Sequence, residues 1–156
     1  MAAEKDRASV PELDGSRLRV AIVASRWNDI IVTRLVEGAE RGFAALGVCT
    51  VTHVSVPGAF EIPYAALQVA KSGRVDAIVA VGAVIRGDTS HYELITSECA
   101  SGIQHVQLST GIPVGFGVLT VENVEQAIAR SEAAGGHNVG EEAAAAAVEL
   151  ALLEMT

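Results

Sequence analysis

The residues that could do chemistry fall in four short segments of the 156-residue chain. These segments are 26–29, 57–61, 86–91 and 120–123. Each follows a run of apolar, β-prone residues. The carboxyl ends of parallel strands meet at one edge of a sheet, and ligands bind outside that edge. The spacing therefore predicts one site to which all four segments contribute.

Two side chains in these segments are suited to a flat, hydroxylated ligand. Trp27, the single tryptophan, comes where the first apolar run ends. Its indole could stack on a heteroaromatic ring, or it could close one end of the core. Glu61 falls in the first turn of a predicted helix, beside Phe60. Its carboxylate could accept hydrogen bonds from ligand hydroxyls, or it could favour the positive end of the helix.

The third segment combines an anion site with a group that transfers protons. Residues 87–90, Gly-Asp-Thr-Ser, open a predicted helix, and backbone amides at a helix N-terminus bind phosphate well. Ser90 and Glu93 have the spacing of a capping box. His91 lies in the same turn, where an imidazole could move protons beside a bound phosphate. The alternative for His91 is an ordinary surface histidine.

Several other chemistries lack their usual sequence signals. The four histidines have no metal-ligand spacing, so no metal site is predicted. A G-x-S-x-G elbow and a G-x-G-x-x-G loop after a strand are both missing, and segment 87–90 is not a Walker A loop. Cys49 and Cys99 have no CxxC spacing and are predicted to be free thiols. The net charge of −8 argues against binding to nucleic acid or to anionic membranes.

The elements that must position these segments alternate regularly along the chain. Strands are predicted at 18–25, 51–56, 77–84 and 114–119, and helices at 31–46, 60–71, 90–108, 123–131 and 141–154. This alternation predicts an α/β fold, a three-layer α/β/α sandwich around a four-stranded parallel sheet with right-handed crossovers.

Composition sets the wider context. Residues 1–16 are polar and contain Pro11, so they are predicted to form a flexible N-terminal arm before a single domain at 17–156. Half of the residues are apolar and the mean hydropathy is +0.37, which predicts a homo-oligomer that buries the surplus. The alternative is an alanine-rich protein whose many alanines inflate the hydropathy. No run is long enough to span a membrane, and the start lacks the apolar core of a signal peptide. A cytoplasmic protein is predicted.

Taken together, four runs resemble the lumazine synthases. The runs are 25–28, 56–63, 82–92, and 116–120 continuing to 125–127, within a resemblance that extends from about Leu18 to Met155. The resemblance implies a flavodoxin-like sandwich that forms homopentamers, with active sites between neighbouring subunits. It also implies the penultimate step of riboflavin biosynthesis: 5-amino-6-ribitylaminouracil and 3,4-dihydroxy-2-butanone 4-phosphate condense to 6,7-dimethyl-8-ribityllumazine, releasing phosphate and water. No cofactor and no metal are implied.

The resemblance also implies residue roles. Trp27 would stack on the pyrimidine, and Ala59, Phe60 and Glu61 would hold the ribityl chain. Backbone groups at the end of the third strand would bind the uracil; the residues are Ala83, Val84 and Ile85.

The remaining implied roles concern the second substrate and its phosphate. Main-chain amides of Asp88 and Thr89 would contact the phosphate, and His91 would shuttle protons. The adjacent subunit would supply Phe116 and also Arg130, which would pair with the phosphate as it leaves. Without the resemblance, Arg130 would be interpreted as a solvated charge at a helix end.

One position departs from the family pattern. Residues 138–140 are Asn-Val-Gly, where the family usually has Asn-Lys-Gly, so Arg130 is left as the main cation for the phosphate. This departure is the one sequence feature that supports a non-catalytic binder of riboflavin or a lumazine, whereas His91 and Arg130 favour an enzyme. A mainly structural role as a shell is a second alternative. The resemblance leaves open whether pentamers build a sixty-subunit shell and whether riboflavin synthase is a partner.

Overall fold

The computed structural model describes residues 12–153 and confirms the predicted alternation of strands and helices. Residues 1–11 of the predicted N-terminal arm lie outside this range. The strands are β1 (Arg19–Ser25), β2 (Thr50–Val56), β3 (Ala77–Ile85) and β4 (Val114–Val121). The helices are α1 (Asp29–Ala45), α2 (Ile62–Lys71), α3 (His91–Thr110), α4 (Val124–Ala129) and α5 (Val139–Ala151), with a short 3-10 turn at Ala59–Glu61.

The four strands form one parallel sheet in the order β2-β1-β3-β4. The chain leaves β1 for β2 on one side and then returns across β1 to β3 on the other. Direction therefore reverses between β1 and β3, which is where open α/β sheets bind ligands. The β1–β3 pairing stops at Ala24 and Val81, whereas β3 stays paired with β4 as far as Ile85. The last four residues of β3 thus extend past the paired part of β1.

Helices cover both faces of the sheet, which makes the predicted three-layer sandwich. On one face α1, α4 and α5 pack over an apolar core, and on the other α2 and α3 pack over a second core. Both faces of β1 and β3 are buried, as expected for parallel strands covered by helices. The predicted inner stripe of α1 is confirmed, because Ile31, Leu35, Ala39 and Phe43 are all buried.

Helices α1 and α5 approach each other unusually closely because glycines line their contact. A Cβ atom on Gly140 would lie 2.1 Å from the backbone oxygen of Leu35. One on Gly42 would lie 2.7 Å from the backbone oxygen of Glu141. These distances are too short for any side chain, so the start of α5 can pack against α1 only with glycine at these positions.

Other features of the described chain bear on the remaining predictions. Leu13, from the last part of the predicted arm, packs against the first core, and the Gly15 amide donates to Leu46 O at 2.7 Å. Cys49 is exposed and Cys99 is buried, and both are free thiols as predicted. Burial raises the pKa of the Cys99 thiol to about 11. Within residues 12–153, no helix is long and apolar enough to cross a membrane.

Candidate active site

The loop after β1 is fixed to the end of β3 by one side chain. Asn28 has φ 59° and ψ 50°, a left-handed conformation that few non-glycine residues adopt. From this position its Nδ2 donates a hydrogen bond of 2.8 Å to the backbone oxygen of Ala83. The bond spans the β1–β3 switch point, so Asn28 sets where the preceding residue, Trp27, emerges over it. Sequence reasoning assigned Asn28 no role, and its side-chain amide before a helix was the one available signal.

Trp27 is presented to solvent rather than to the core. Its side chain is 73% exposed, so the interpretation of Trp27 as a plug for the core is wrong. A methyl group placed on Gly58 would lie 3.2 Å from Trp27 Cδ1 and 3.4 Å from Glu61 Oε2. Trp27 and Glu61 therefore both lie beside Gly58, although they belong to the loops after two different strands. An exposed indole beside a carboxylate can bind a flat ring that carries hydroxyl groups.

The loop after β2 places its three predicted residues in different environments. Ala59 is buried, whereas Phe60 is 56% exposed and Glu61 is exposed. The 3-10 turn that they form leads directly into α2. Glu61 occupies the N-cap position of α2 but makes no side-chain capping bond. Its carboxylate is therefore open to a ligand.

At the end of β3, Ala83 is buried and Val84 and Ile85 are half-buried. Alternate residues of a strand direct their backbone groups to the same side, so Ile85 faces the same side as Ala83. Beyond the end of β1, the backbone groups on this side have no strand to pair with in the described part of the chain. The Ala83 oxygen already accepts from Asn28, so one of its two lone pairs is used within the chain.

The loop after β3 and the start of α3 border a cavity of about 660 Å³. The lining residues are Thr89, Ser90, His91, Glu93, Leu94, Ser97 and Glu98. Thr89 Oγ1 accepts from the His91 amide at 3.3 Å, which ties the loop to the first turn of the helix. Asp88 is exposed beside this cavity and does not line it. The structure therefore places Thr89 and His91 at the same cavity.

The predicted capping box at the start of α3 is wrong. Ser90 is the N-cap residue, but its side chain makes no capping bond. Glu93 binds the Arg86 guanidinium instead of reaching back to the Ser90 amide. A charged partner binds a carboxylate more strongly than a backbone amide does, and Arg86 is within reach. The Ser90 amide is therefore not taken by the Glu93 carboxylate, whereas the His91 amide is bonded to Thr89 Oγ1.

Arg86 joins three parts of the site. Its Nη1 donates to Glu93 on α3, and its Nε donates to Glu122 Oε2 at 2.7 Å, in the loop after β4. Its guanidinium carbon also lies 4.2 Å from the ring centroid of Tyr92. The hydrogen bond from Arg86 lowers the pKa of the Glu93 carboxyl. Sequence reasoning gave Arg86 no role, since its carboxylate partners are 7 and 36 residues away.

Phe116 is not part of this cluster within one chain. It pairs with Ala80, five residues before the end of β4, so it lies about 16 Å from the carboxyl edge. Its side chain is nevertheless 42% exposed, on the outer strand of the sheet.

Arg130 is the C-cap residue of α4, and its Nη1 donates to Gln126 O at 3.0 Å. No carboxylate in the described part of the chain forms an ion pair with Arg130. Phe116 and the guanidinium of Arg130 therefore both keep exposed surface that the described part of the chain does not use.

Among residues 12–153, no three His, Cys, Asp or Glu side chains are grouped so that they could hold a metal ion. The chemistry available at the edge consists of an exposed indole, a carboxylate, an imidazole and helix amides.

The chain is similar to one protein family over nearly its whole length. Residues 17–154 match the family model described as 6,7-dimethyl-8-ribityllumazine synthase. The relative of that name from Deinococcus radiodurans is 49% identical over 138 residues, covering 87% of this chain and 88% of the relative. The one from Kineococcus radiotolerans is 48% identical over 139 residues (88% and 86%), and the one from Xanthomonas euvesicatoria is 52% identical over 142 residues (89% and 91%).

Proposed function

The chain belongs to the 6,7-dimethyl-8-ribityllumazine synthase family, and from that premise we propose its reaction. It condenses 5-amino-6-ribitylaminouracil with 3,4-dihydroxy-2-butanone 4-phosphate to 6,7-dimethyl-8-ribityllumazine, with release of phosphate and water. The observation that supports this proposal is that the loops at the carboxyl edge of the sheet present an exposed indole beside an open carboxylate and, at the start of α3, an imidazole that borders a cavity.

The loops after β1 and β2 bind the aminouracil. The pyrimidine stacks on Trp27, and the ribityl hydroxyls donate to the uncapped carboxylate of Glu61. Phe60 covers the ribityl chain and the backbone of Ala59 borders it. The uracil edge meets the backbone of β3 beyond the end of β1, through Ile85 and the remaining lone pair of Ala83 O, and Val84, whose backbone groups face β4, lies between them.

The loop after β3 binds the butanone phosphate and serves the proton transfers. Main-chain amides at Asp88 and Thr89 hold the phosphate near the positive end of α3. The pyrimidine amine attacks the ketone, and loss of water gives an imine. Phosphate then leaves, and attack by the ribityl-bearing nitrogen closes the second ring with loss of a second water. His91 accepts and returns protons during these steps, since it borders the same cavity as Thr89.

A second copy of the chain completes the site. Phe116 lies about 16 Å from its own carboxyl edge yet is exposed, which supports its use by a neighbour. The elements along the open β4 side carry five exposed large apolar residues: Leu94, Leu108, Phe116, Val124 and Ile128. An apolar surface of this kind is typical of subunit interfaces, and it supports the proposed homopentamer.

Arg130 supplies the cation that pairs with the phosphate as it leaves the butanone substrate. Its guanidinium has no carboxylate partner among the described residues and can form a bidentate pair with a phosphate. Val139, where the family usually has lysine, packs against the first core and contributes no charge. The two free thiols, Cys49 and Cys99, are in keeping with a reducing compartment and support a cytoplasmic location.

The test is a turnover assay with the purified chain and both substrates, followed by the absorbance of the lumazine. The uncatalysed condensation is measured in parallel and subtracted. Wild type is compared with Arg130→Ala and His91→Ala. We expect Arg130→Ala to lose about a hundredfold in kcat/KM, because a charge-assisted pair with the leaving phosphate is removed. His91→Ala should lose less, since the reaction also proceeds unaided.

A non-catalytic binder is the second candidate, supported by Val139 in place of lysine. It predicts that the wild-type chain binds a lumazine or riboflavin, by quenching of Trp27 fluorescence, without accelerating the condensation. That result would contradict the proposed enzyme. Turnover well above the background would exclude the binder.

A further inference from the structure

Three polar residues are buried in the described part of the chain: Ser25, Ser131 and Asn138. The last two lie in the segment that joins α4 to α5, directly after Arg130. Buried polar side chains are held by hydrogen bonds, and leaving them without partners is costly. The proposed reaction gives neither residue a role, so the bonds that they make call for an explanation.

Asn138 uses its amide almost completely. Its Nδ2 donates to Arg34 O and to Glu132 O, each at 3.0 Å, and its Oδ1 accepts from the Glu141 amide at 3.1 Å. One side chain thereby joins α1, the segment after Arg130 and the first turn of α5. Two of the three bonds are made by the NH₂ group, which only an amide side chain of this size provides.

A slot in α1 receives this side chain. Gly38 faces Asn138 so closely that a Cβ atom on Gly38 would lie 2.0 Å from Asn138 Oδ1. The arrangement fixes Asn138 by shape as well as by hydrogen bonds. Its position leaves little freedom to the backbone that it holds.

The same network fixes the carbonyl of Arg130 and the residue that follows it. Arg34 Nε donates to Ser131 O at 2.7 Å, and Ser131 Oγ donates to Ala127 O at 2.8 Å. The Val139 amide donates to Arg130 O itself at 2.9 Å. Residues 131 and 138 also form a β-bridge. The carbonyl of Arg130 and the residue that follows it are thus attached to α1, α4 and α5, while the guanidinium stays exposed.

We propose that Asn138 is a positioning residue for Arg130, holding the backbone of that arginine so that its guanidinium meets the phosphate of the butanone substrate. The inference rests on the proposed function, because it assumes that Arg130 binds this phosphate. Asn138 itself touches no substrate. Its effect on the reaction is transmitted through the backbone of Glu132 and Val139. A change at Asn138 should therefore weaken binding of the butanone phosphate and not binding of the aminouracil.

The direct test is Asn138→Asp. This change keeps the oxygen that caps Glu141 and removes both donors to the carbonyls of Arg34 and Glu132. The matched control is Gln107→Glu, the same amide-to-carboxylate change near the end of α3, where the retained oxygen accepts from the Val114 amide at 2.9 Å and the donor to Gln104 is lost. We expect the KM for the butanone phosphate to rise about tenfold in Asn138→Asp, with less than a twofold change in the KM for the aminouracil. Gln107→Glu should leave both KM values within about twofold of wild type.

A purely structural role is separated by combining the change with Arg130→Ala. If Asn138 acts through Arg130, adding Asn138→Asp to Arg130→Ala raises the KM for the butanone phosphate less than about twofold further. A tenfold rise that persists without the arginine, or equal effects on both KM values, overturns the inference. Loss of active protein without a change in KM would do the same.

Should Asn138→Asp fail to fold, Arg34→Lys tests the same network from the α1 side. Lysine cannot donate to Ser131 O from the position of Arg34 Nε. We expect the same selective rise in the KM for the butanone phosphate, and a wild-type KM in this variant overturns the inference. Failure of the proposed function would be seen separately. It fails if the turnover rate of wild type does not exceed the uncatalysed background, or if Arg130→Ala turns over as fast as wild type.

Discussion

Replacing Asn28 by glycine and by alanine separates two contributions that this residue makes to the fold. Among residues 12–153, Asn28 is the one non-glycine residue with a positive φ. Its side chain also donates to Ala83 O at 2.8 Å. Glycine removes the hydrogen bond and accepts the left-handed backbone freely, whereas alanine removes the hydrogen bond and is strained there.

The magnitudes follow from these two terms. Loss of one part-buried hydrogen bond lowers the free energy of unfolding by about 1 kcal/mol, and this applies to both variants. Alanine in the left-handed region costs about 1 kcal/mol more. We therefore expect Asn28→Gly to be destabilised by about 1 kcal/mol and Asn28→Ala by about 2 kcal/mol. The difference between the two variants reports the backbone term alone.

Urea unfolding of wild type and both variants measures these values. All three are compared at one protein concentration, because association would shift the apparent stability. Both variants should also bind the aminouracil more weakly, since Asn28 sets the position of Trp27. Equal stability of the two variants, or a more stable alanine variant, would refute the assignment of a left-handed backbone that carries a cost at this position.

Three further predictions concern packing, charge and the site. Gly140→Ala should lower the free energy of unfolding by about 3 kcal/mol, because the added Cβ would lie 2.1 Å from a backbone oxygen. The control is Gly87→Ala, where an added Cβ has no atom within 4 Å. Equal melting temperatures for the two variants would contradict the close packing of α1 and α5. A hydrogen bond from Arg19 lowers the pKa of Asp76 below its ordinary value of 3.8, so this stabilisation is present above that pH and is lost as the pH falls through the folded-state value. The urea midpoint of Asp76→Asn should therefore be lower than that of wild type at pH 7, and the gap should narrow as the pH falls below 3.8. A gap that widens in acid would contradict the assigned sign. Trp27→Ala should raise the KM for the aminouracil about tenfold without changing the melting temperature, since the indole is 73% exposed. A large loss of stability would show instead that Trp27 is part of the core.

Much of the fold could be predicted because its signals are local. Apolar runs of strand length alternate with helical periodicity, and this alone predicts a parallel sheet covered on both faces. The stripe on α1 from Ile31 to Phe43 is buried as its spacing predicted. The location of the candidate site at the carboxyl edge follows from the same alternation, without any knowledge of the strand order.

The capping box shows where local reasoning failed. Ser90 and Glu93 have the correct spacing, but Glu93 binds Arg86 instead. Arg86 is itself held by Glu122, which follows β4, the strand next to β3. The spacing of two residues cannot reveal a third charge that tertiary packing brings near. A charge-assisted bond then replaces the local one.

The sequence by itself determined which elements form, which loops carry the reactive groups and to which family the chain is similar. Only the tertiary structure decided that Trp27 faces solvent, that Phe116 lies far from its own carboxyl edge, and that Asn138 is buried in a slot of α1. The physical reason is distance along the chain. Periodicity and turn chemistry act over a few residues, whereas Asn138 donates to a carbonyl 104 residues away, a contact that exists only once the layers have packed.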